Sequence, residues 1–167
     1  KSTFGPIDGA NVVDWPIGYD EMERYYDRVE REVGVSGRVI QHPFLEPRSS
    51  KDFPFPPTLE HPYSAMFDEA ARSLGLHPIP ASRAVLPYPA MNRSGCSYNG
   101  YCGSYGCATG AKGSSRAALL SKALATGNCE IRPRSMVSRL VSDATGKVIA
   151  AEYFDRDGRQ QRVDAKI

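Results

Sequence analysis

Three of the chain's four cysteines and six of its fifteen glycines fall in one window, Gly95–Ser115, reading GCSYNGYCGSYGCATGAKGSS. Such a segment could do several kinds of chemistry. Cys96, Cys102 and Cys107 together with Cys129 supply four thiols, enough for a structural zinc, but the C-x5-C-x4-C spacing contains no C-x2-C knuckle. An iron-sulfur cluster needs three or four thiolates converging from a flexible loop, and glycines would allow the bends; the spacing matches no common ferredoxin pattern. Gly106, Gly110 and Lys112 suggest a phosphate loop, yet Ala111 and Gly113 break the G-x4-G-K-[ST] register, so a nucleoside triphosphatase is rejected. The simplest reading makes the glycines turn formers and the cysteines small buried apolar groups or disulfide partners. GAKGSS also opens a helical pattern, so the amides after Gly113 are expected to be unspent donors at the positive end of a helix, suited to an anionic group.

The elements that must position this window are read from periodicity. YDEMERYYDRVEREVGVSG carries Met22, Tyr25, Tyr26, Val29 and Val33 at helical spacing with charges opposite, and Gly34 and Gly37 as stops. Pro43, Pro47, Pro54, Pro56, Pro57 and Pro62 then remove so many amide donors that the chain from Gln41 is expected to be extended and irregular. YSAMFDEAARSLGL predicts a second amphipathic helix with Met66, Phe67, Ala70, Ala71 and Leu74 on one face and Gly75 at its end. HPIPASRAVLPYPAMN is again broken by prolines. SSRAALLSKALATGN predicts a third helix with a serine N-cap, Leu119, Leu120, Ala123 and Leu124 on its apolar face, and Gly127-Asn128 as the stop.

The period changes after Cys129. CEIRPRSMVSRLVSD, KVIAAEYFD and QQRVDAKI are runs rich in β-branched residues separated by Ala-Thr-Gly and Arg-Asp-Gly turns, which predicts a three-stranded antiparallel meander with Pro133 at an edge or a strand start. The fold class expected is α+β: amphipathic helices, long proline-rich irregular segments and a C-terminal meander. The long connections argue against a free-standing small domain.

With 41% hydrophobic and 24% charged residues the composition is that of a soluble globular protein, which excludes disorder. The balance of 21 basic against 19 acidic residues, without a basic run, excludes a nucleic-acid partner. No apolar run approaches the roughly 18 residues of a spanning helix, and the N-terminal residues lack a signal-peptide core. The absence of an initial Met and the alternating RVDAKI at the other end read as an excised piece of a longer chain.

DWPIGYDEMERYYDRVEREVGVSG and, later, CGSYGCATGAKGSSRAALLSKALATGNCEIRPRSMVSRLVSDATGKVIAAEYFDRDGRQQRVDA, in that order, resemble the middle of a GMC (glucose-methanol-choline) oxidoreductase. Within that family the chain is similar to the branch of gluconate 2-dehydrogenase large subunits and related bacterial FAD-dependent sugar dehydrogenases. The resemblance covers nearly the whole chain and is most specific from Gly110 to Ala165, with the DWP and tyrosine-rich helix as a second signal.

The resemblance implies that these residues form part of a larger FAD/NAD(P)-binding-type fold. Residues 1–95 would be a substrate-side cap segment, 96–113 the Cys/Gly-rich loop, and 114–167 the helix and meander of the FAD-binding domain. It implies a full-length flavoprotein that oxidises the alcohol of a sugar, sugar acid or related polyol by hydride transfer to FAD, with an electron-acceptor subunit or cytochrome among its partners, in the periplasm or the cytoplasm. The family's pyrophosphate-binding G-x-G-x-x-G and its catalytic histidine pair have no counterpart here: His42, His61 and His77 each precede a proline in irregular chain. No residue of this stretch is therefore expected to be catalytic, and the stretch alone is expected to be inactive and to self-associate. Val137, flanked by Met136 and Ser138, matches the strand position whose backbone meets the adenine of FAD, while Lys112, Ser114 and Ser115 match a helix-opening motif with a packing role. Some relatives carry an iron-sulfur cluster on a cysteine triplet spaced differently from Cys96, Cys102 and Cys107. The competing reading is a free-standing interaction or structural metal module without redox activity; a third is a truncated paralogue that has lost catalysis.

Overall fold

A computed structural model describes residues 5–42, 45 and 47–166, and these belong to two compact units divided between Ala123 and Leu124. In the first, the tyrosine-rich segment forms helix α1, Tyr19–Val33. Asp20 and Glu21 sit in its first turn, where the dipole favours them, and Gly34 ends it at a φ of 83°, donating to the Glu30 carbonyl at 2.9 Å. The side that docks is the charged one. Glu23 accepts from the Ser49 amide at 2.9 Å and its hydroxyl at 2.8 Å, Asp27 accepts from Ser50, and Glu30 takes both terminal nitrogens of Arg48 at 2.7 and 2.5 Å. Three carboxylates at i, i+4 and i+7 thus clamp residues 48–50 of the proline-rich segment onto the helix. The stripe expected to be buried is largely open: Tyr25, Tyr26 and Val29 are exposed, and only its last member, Val33, is tucked against Gly113.

Helix α2, Pro62–Ser73, begins with proline at its first position and with His61 as N-cap, the imidazole Nδ1 accepting from the Tyr63 amide at 3.2 Å. It ends in a Schellman pair, Leu76 N–H to the Ala71 carbonyl and Gly75 N–H to that of Arg72, both at 3.0 Å. Of its expected apolar face only Ala71 is buried; Met66, Phe67 and Leu74 are exposed.

The middle of this unit is held by isolated backbone bridges, because prolines prevent continuous strands. Buried Ser36 exchanges amide bonds with Arg83 at 2.8 and 2.9 Å, and its neighbours Val35 and Gly37 bond Phe55. Leu86, the largest fully buried side chain, donates its amide to the Ala111 carbonyl at 3.0 Å and accepts from Cys96 at 2.9 Å. A two-residue hairpin turn follows at Ala90–Arg93, with Met91 and Asn92 at φ of 54° and 56°. It aims Arg93 back at α1, where Nη2 donates to the Val33 carbonyl at 2.5 Å. Burial lowers the Arg93 pKa.

Short helix α3 spans Cys102–Tyr105. The third predicted helix departs from the expected form: Ser114 caps it, Oγ accepting from the Ala117 amide at 3.2 Å, but Arg116–Leu120 is a π-helical turn that runs into α4, Ser121–Ala125. The wider turn buries Ala118 and leaves Leu119 and Leu124 exposed. Some of the amides at and around this helix start are in use, Ala117 N–H by the Ser114 hydroxyl. Gly113 N–H bonds the Ala84 carbonyl at 2.7 Å, Ser114 N–H that of Lys112 at 3.0 Å, and Ala118 N–H that of Ser114 at 2.9 Å. The bridge of Lys112 to Val85 takes up the Gly113 amide.

The second unit holds the expected meander, with β1 at Met136–Ser142, β2 at Val148–Phe154 and β3 at Gln160–Asp164, all antiparallel in the order β1-β2-β3. Pro133 lies just ahead of β1, as its missing amide requires. Both turns are built alike: Gly146 at φ 85° and Gly158 at φ 74° close three-residue loops begun by Asp143 and Asp155. Asp143 accepts the Thr145 hydroxyl and amide and the Lys147 amide, and Asp155 accepts the Arg159 and Asp157 amides and the Gln161 side chain. These bonds hold both carboxyls below their usual pKa. Ala150, in the central strand, is buried.

Candidate functional site

Sequence reasoning points to two places, the cysteine loop and the start of β1. In the loop, Cys107 has the most polar surroundings. Its sulfur accepts the Lys112 amide at 3.5 Å and lies 3.5 Å from the Thr109 hydroxyl. The Lys112 amide above all, then the Thr109 hydroxyl, lower the thiol pKa to about 7. The Lys112 ammonium is turned elsewhere, donating to the Cys102 carbonyl at 2.6 Å and so tying both ends of the short α3 loop together. Lys112 therefore shapes the loop with its side chain and polarises Cys107 with its backbone. Ser115 makes the turn into the π-helical segment.

Cys96, Cys102, Cys107 and Cys129 are all reduced and half-buried. Among the described residues no group of three or more cysteine, histidine or acidic side chains is placed to hold a metal ion. The zinc and iron-sulfur readings of the four cysteines thus find no support among the described residues: Cys96, Cys102 and Cys107 each contact nearby backbone or hydroxyl groups. His42 and His77 meet edge to face at 5.8 Å, and His61 serves as a helix cap.

At the second place, β1 is an edge strand whose first residues, Met136, Val137 and Ser138, are exposed. Met136 pairs with Phe154 and Val137 with Tyr153, and the next pair is Arg139 with Glu152. Ser138 is thus the extra residue of a β-bulge, its hydroxyl donating to the Glu152 carbonyl at 3.2 Å. An edge strand leaves half its backbone donors and acceptors unpaired, and a bulge re-aims them. That arrangement can read a flat heterocycle through main-chain atoms. Reasoning from sequence did not single out Arg132, which donates to Glu130 at 2.9 and 3.1 Å and to the Tyr153 hydroxyl at 3.1 Å, beside the strand position paired with Val137. The only signal for it was its place in EIRPRSM, two basic residues flanking a proline.

No helix among the described residues is long and apolar enough to cross a membrane. Comparison with known proteins adds the family. The model for GMC oxidoreductases matches residues 57–166. Paromamine 6'-oxidase of Streptomyces fradiae is 34% identical over 90% of this chain and 26% of its own length. The gluconate 2-dehydrogenase flavoprotein of Pantoea cypripedii is 30% identical over 92% of this chain and 28% of its own. The fructose dehydrogenase large subunit of Gluconobacter japonicus is 32% identical over the same shares. The chain thus spans between a quarter and three tenths of these relatives, and over that stretch the match is to the family as a whole: the chain belongs to the GMC oxidoreductases.

Proposed function

We propose that these residues are part of an FAD-dependent dehydrogenase or oxidase that oxidises a hydroxyl group of a sugar, sugar acid or related polyol. The observation that carries the reading is the family match over 57–166; relatives named for paromamine, gluconate and fructose support a polyhydroxylated substrate. Residues 114–167 would belong to the FAD-binding domain, and residues 1–95 to the substrate side, with 96–113 as the loop joining them.

FAD, when bound, accepts hydride from the carbinol carbon. The part assigned to this chain is to hold the adenine end. At Val137, with Met136 and Ser138 on either side, the exposed edge and the bulge offer main-chain N–H and C=O groups suited to an adenine edge. No side chain of this stretch is assigned to the proton or hydride step. The gluconate and fructose dehydrogenase relatives are named as a flavoprotein and a large subunit, which supports a partner that takes the electrons onward.

The test is a visible spectrum of the purified full-length protein that contains these residues, with its flavin released and identified, followed by anaerobic addition of gluconate, fructose or an amino sugar. A flavin spectrum bleached by one of them is expected. A preparation that is colourless after incubation with FAD, and that oxidises none of these compounds, would refute the reading.

A further inference from the structure

A cavity of about 680 Å3 lies within the first unit, between α1 and the proline-rich chain, and none of Cys96, Cys102 or Cys107 lines it. That volume is in the range of small-molecule sites, roughly 300–1,000 Å3. Among the described residues its walls mix apolar surface, from Val39, Ile40, Phe53 and Ile79, with three cations and one carboxylate. The carboxylate is Glu30, already engaged by both terminal nitrogens of Arg48. Arg48 is further fixed by stacking over the Phe53 ring, 4.0 Å from guanidinium carbon to centroid, and its buried Nε finds no acceptor among the described residues. The other cations, Arg38 and Lys51, pair with no carboxylate among the described residues. Among the described residues one ion pair is therefore closed, and two positive charges and one buried donor are left without a partner around a partly apolar hollow.

We propose that this cavity binds a small organic anion, an apolar ring or chain bearing a carboxylate or phosphate head. Arg38 and Lys51 meet the head, and the aliphatic and Phe53 walls take the body. A planar guanidinium matches either head group in two-point fashion, and a lysine adds a compact charge. The Arg48–Glu30 pair acts as a fixed wall: its bidentate geometry and its stacking leave it no freedom to release Glu30 as a competitor for the ligand's place.

The experiment is isothermal titration of the native protein with benzoate and with phenyl phosphate, phenol serving as the uncharged control. At least one anion is expected to bind, phenol is not, and affinity should fall as salt rises. Binding of benzoate alone assigns a carboxylate head, of phenyl phosphate alone a phosphate head. The double variant Arg38→Ala/Lys51→Ala, at exposed positions, is expected to weaken binding at least tenfold. Ile79→Trp, which fills the hollow without altering charge, is expected to abolish it. Failure of both anions to bind, phenol binding as well as they do, or either variant binding like the parent overturns the proposal.

Discussion

The Cys107 environment makes a kinetic prediction that can be worked through. With the Lys112 amide and the Thr109 hydroxyl directed at its sulfur, the thiol titrates at about 7 instead of the ordinary value near 9. At pH 7 it is then about half ionised, against about 1% for an ordinary cysteine, a ratio of ~50 in thiolate. A less basic thiolate is also a weaker nucleophile, by about 8-fold over two units at a Brønsted slope of 0.4–0.5, so the net advantage in alkylation is about 6-fold. The midpoint of the pH–rate profile is the cleaner readout, because it is unaffected by accessibility. Iodoacetamide labelling, resolved by peptide mass, should give a midpoint near 7 for Cys107 in the native protein and an ordinary one after unfolding. Thr109→Val should move the native midpoint upward only part of the way, since the Lys112 amide, the larger influence, remains. The sign of the linked stability follows. A thiol whose pKa is lowered by folding contributes stability that is complete above its unfolded value and is lost as pH falls through about 7. A native midpoint as high as that of the unfolded chain, or one that Thr109→Val leaves unmoved, would refute the reasoning.

Two further outcomes are expected. A Cβ on Gly113 would lie 2.4 Å from Val33 Cγ1 and 2.8 Å from the Val33 carbonyl oxygen, so Gly113→Ala should destabilise the protein by about 1–3 kcal/mol in urea unfolding, whereas Gly100→Ala, with open space around it, should stay within about 0.5 kcal/mol. The turn carboxylates Asp143 and Asp155 have lowered pKa values, first through the Thr145 hydroxyl and the Arg159 amide respectively, so their contribution is present above about pH 4 and fades as pH falls below it. Thermal unfolding of Asp143→Asn and Asp155→Asn across pH 5 to about 2 should therefore lose less stability than the parent over that acid limb.

What could be read from the sequence was whatever is decided within a few residues. The Ala-Thr-Gly and Arg-Asp-Gly loops announce the meander because glycine at positive φ and a leading aspartate fix the turn locally, and the register of β2 with β3 follows without interruption. The two helix ends at Gly34 and Gly75 were legible for the same reason. The packing was not. A hydrophobic stripe on α1 implies a buried face, yet the contacts that dock it come from Glu23, Asp27 and Glu30, whose partners lie 18 to 26 residues away in chain that has no periodicity to read. The π-helical turn at Arg116–Leu120 was likewise invisible, since one extra residue per turn leaves the same composition and shifts only which alanine is buried.

The same distinction separates the two candidate places. Cysteines draw attention because their side chains have a recognisable chemistry, but a metal centre requires them to converge, and convergence is a property of the loop's path that no spacing rule supplied. Ser36, Leu86 and Lys112 hold that path through bridges between backbone atoms. At β1 the situation is reversed. Val137 has an unremarkable side chain, and its candidacy rests on what the main chain does there: an edge position, an unpaired bulge at Ser138 and an exposed surface. A function carried by backbone groups constrains geometry more than residue type, so for such a site the family resemblance proposes a position and the strand register says which main-chain groups that position could offer.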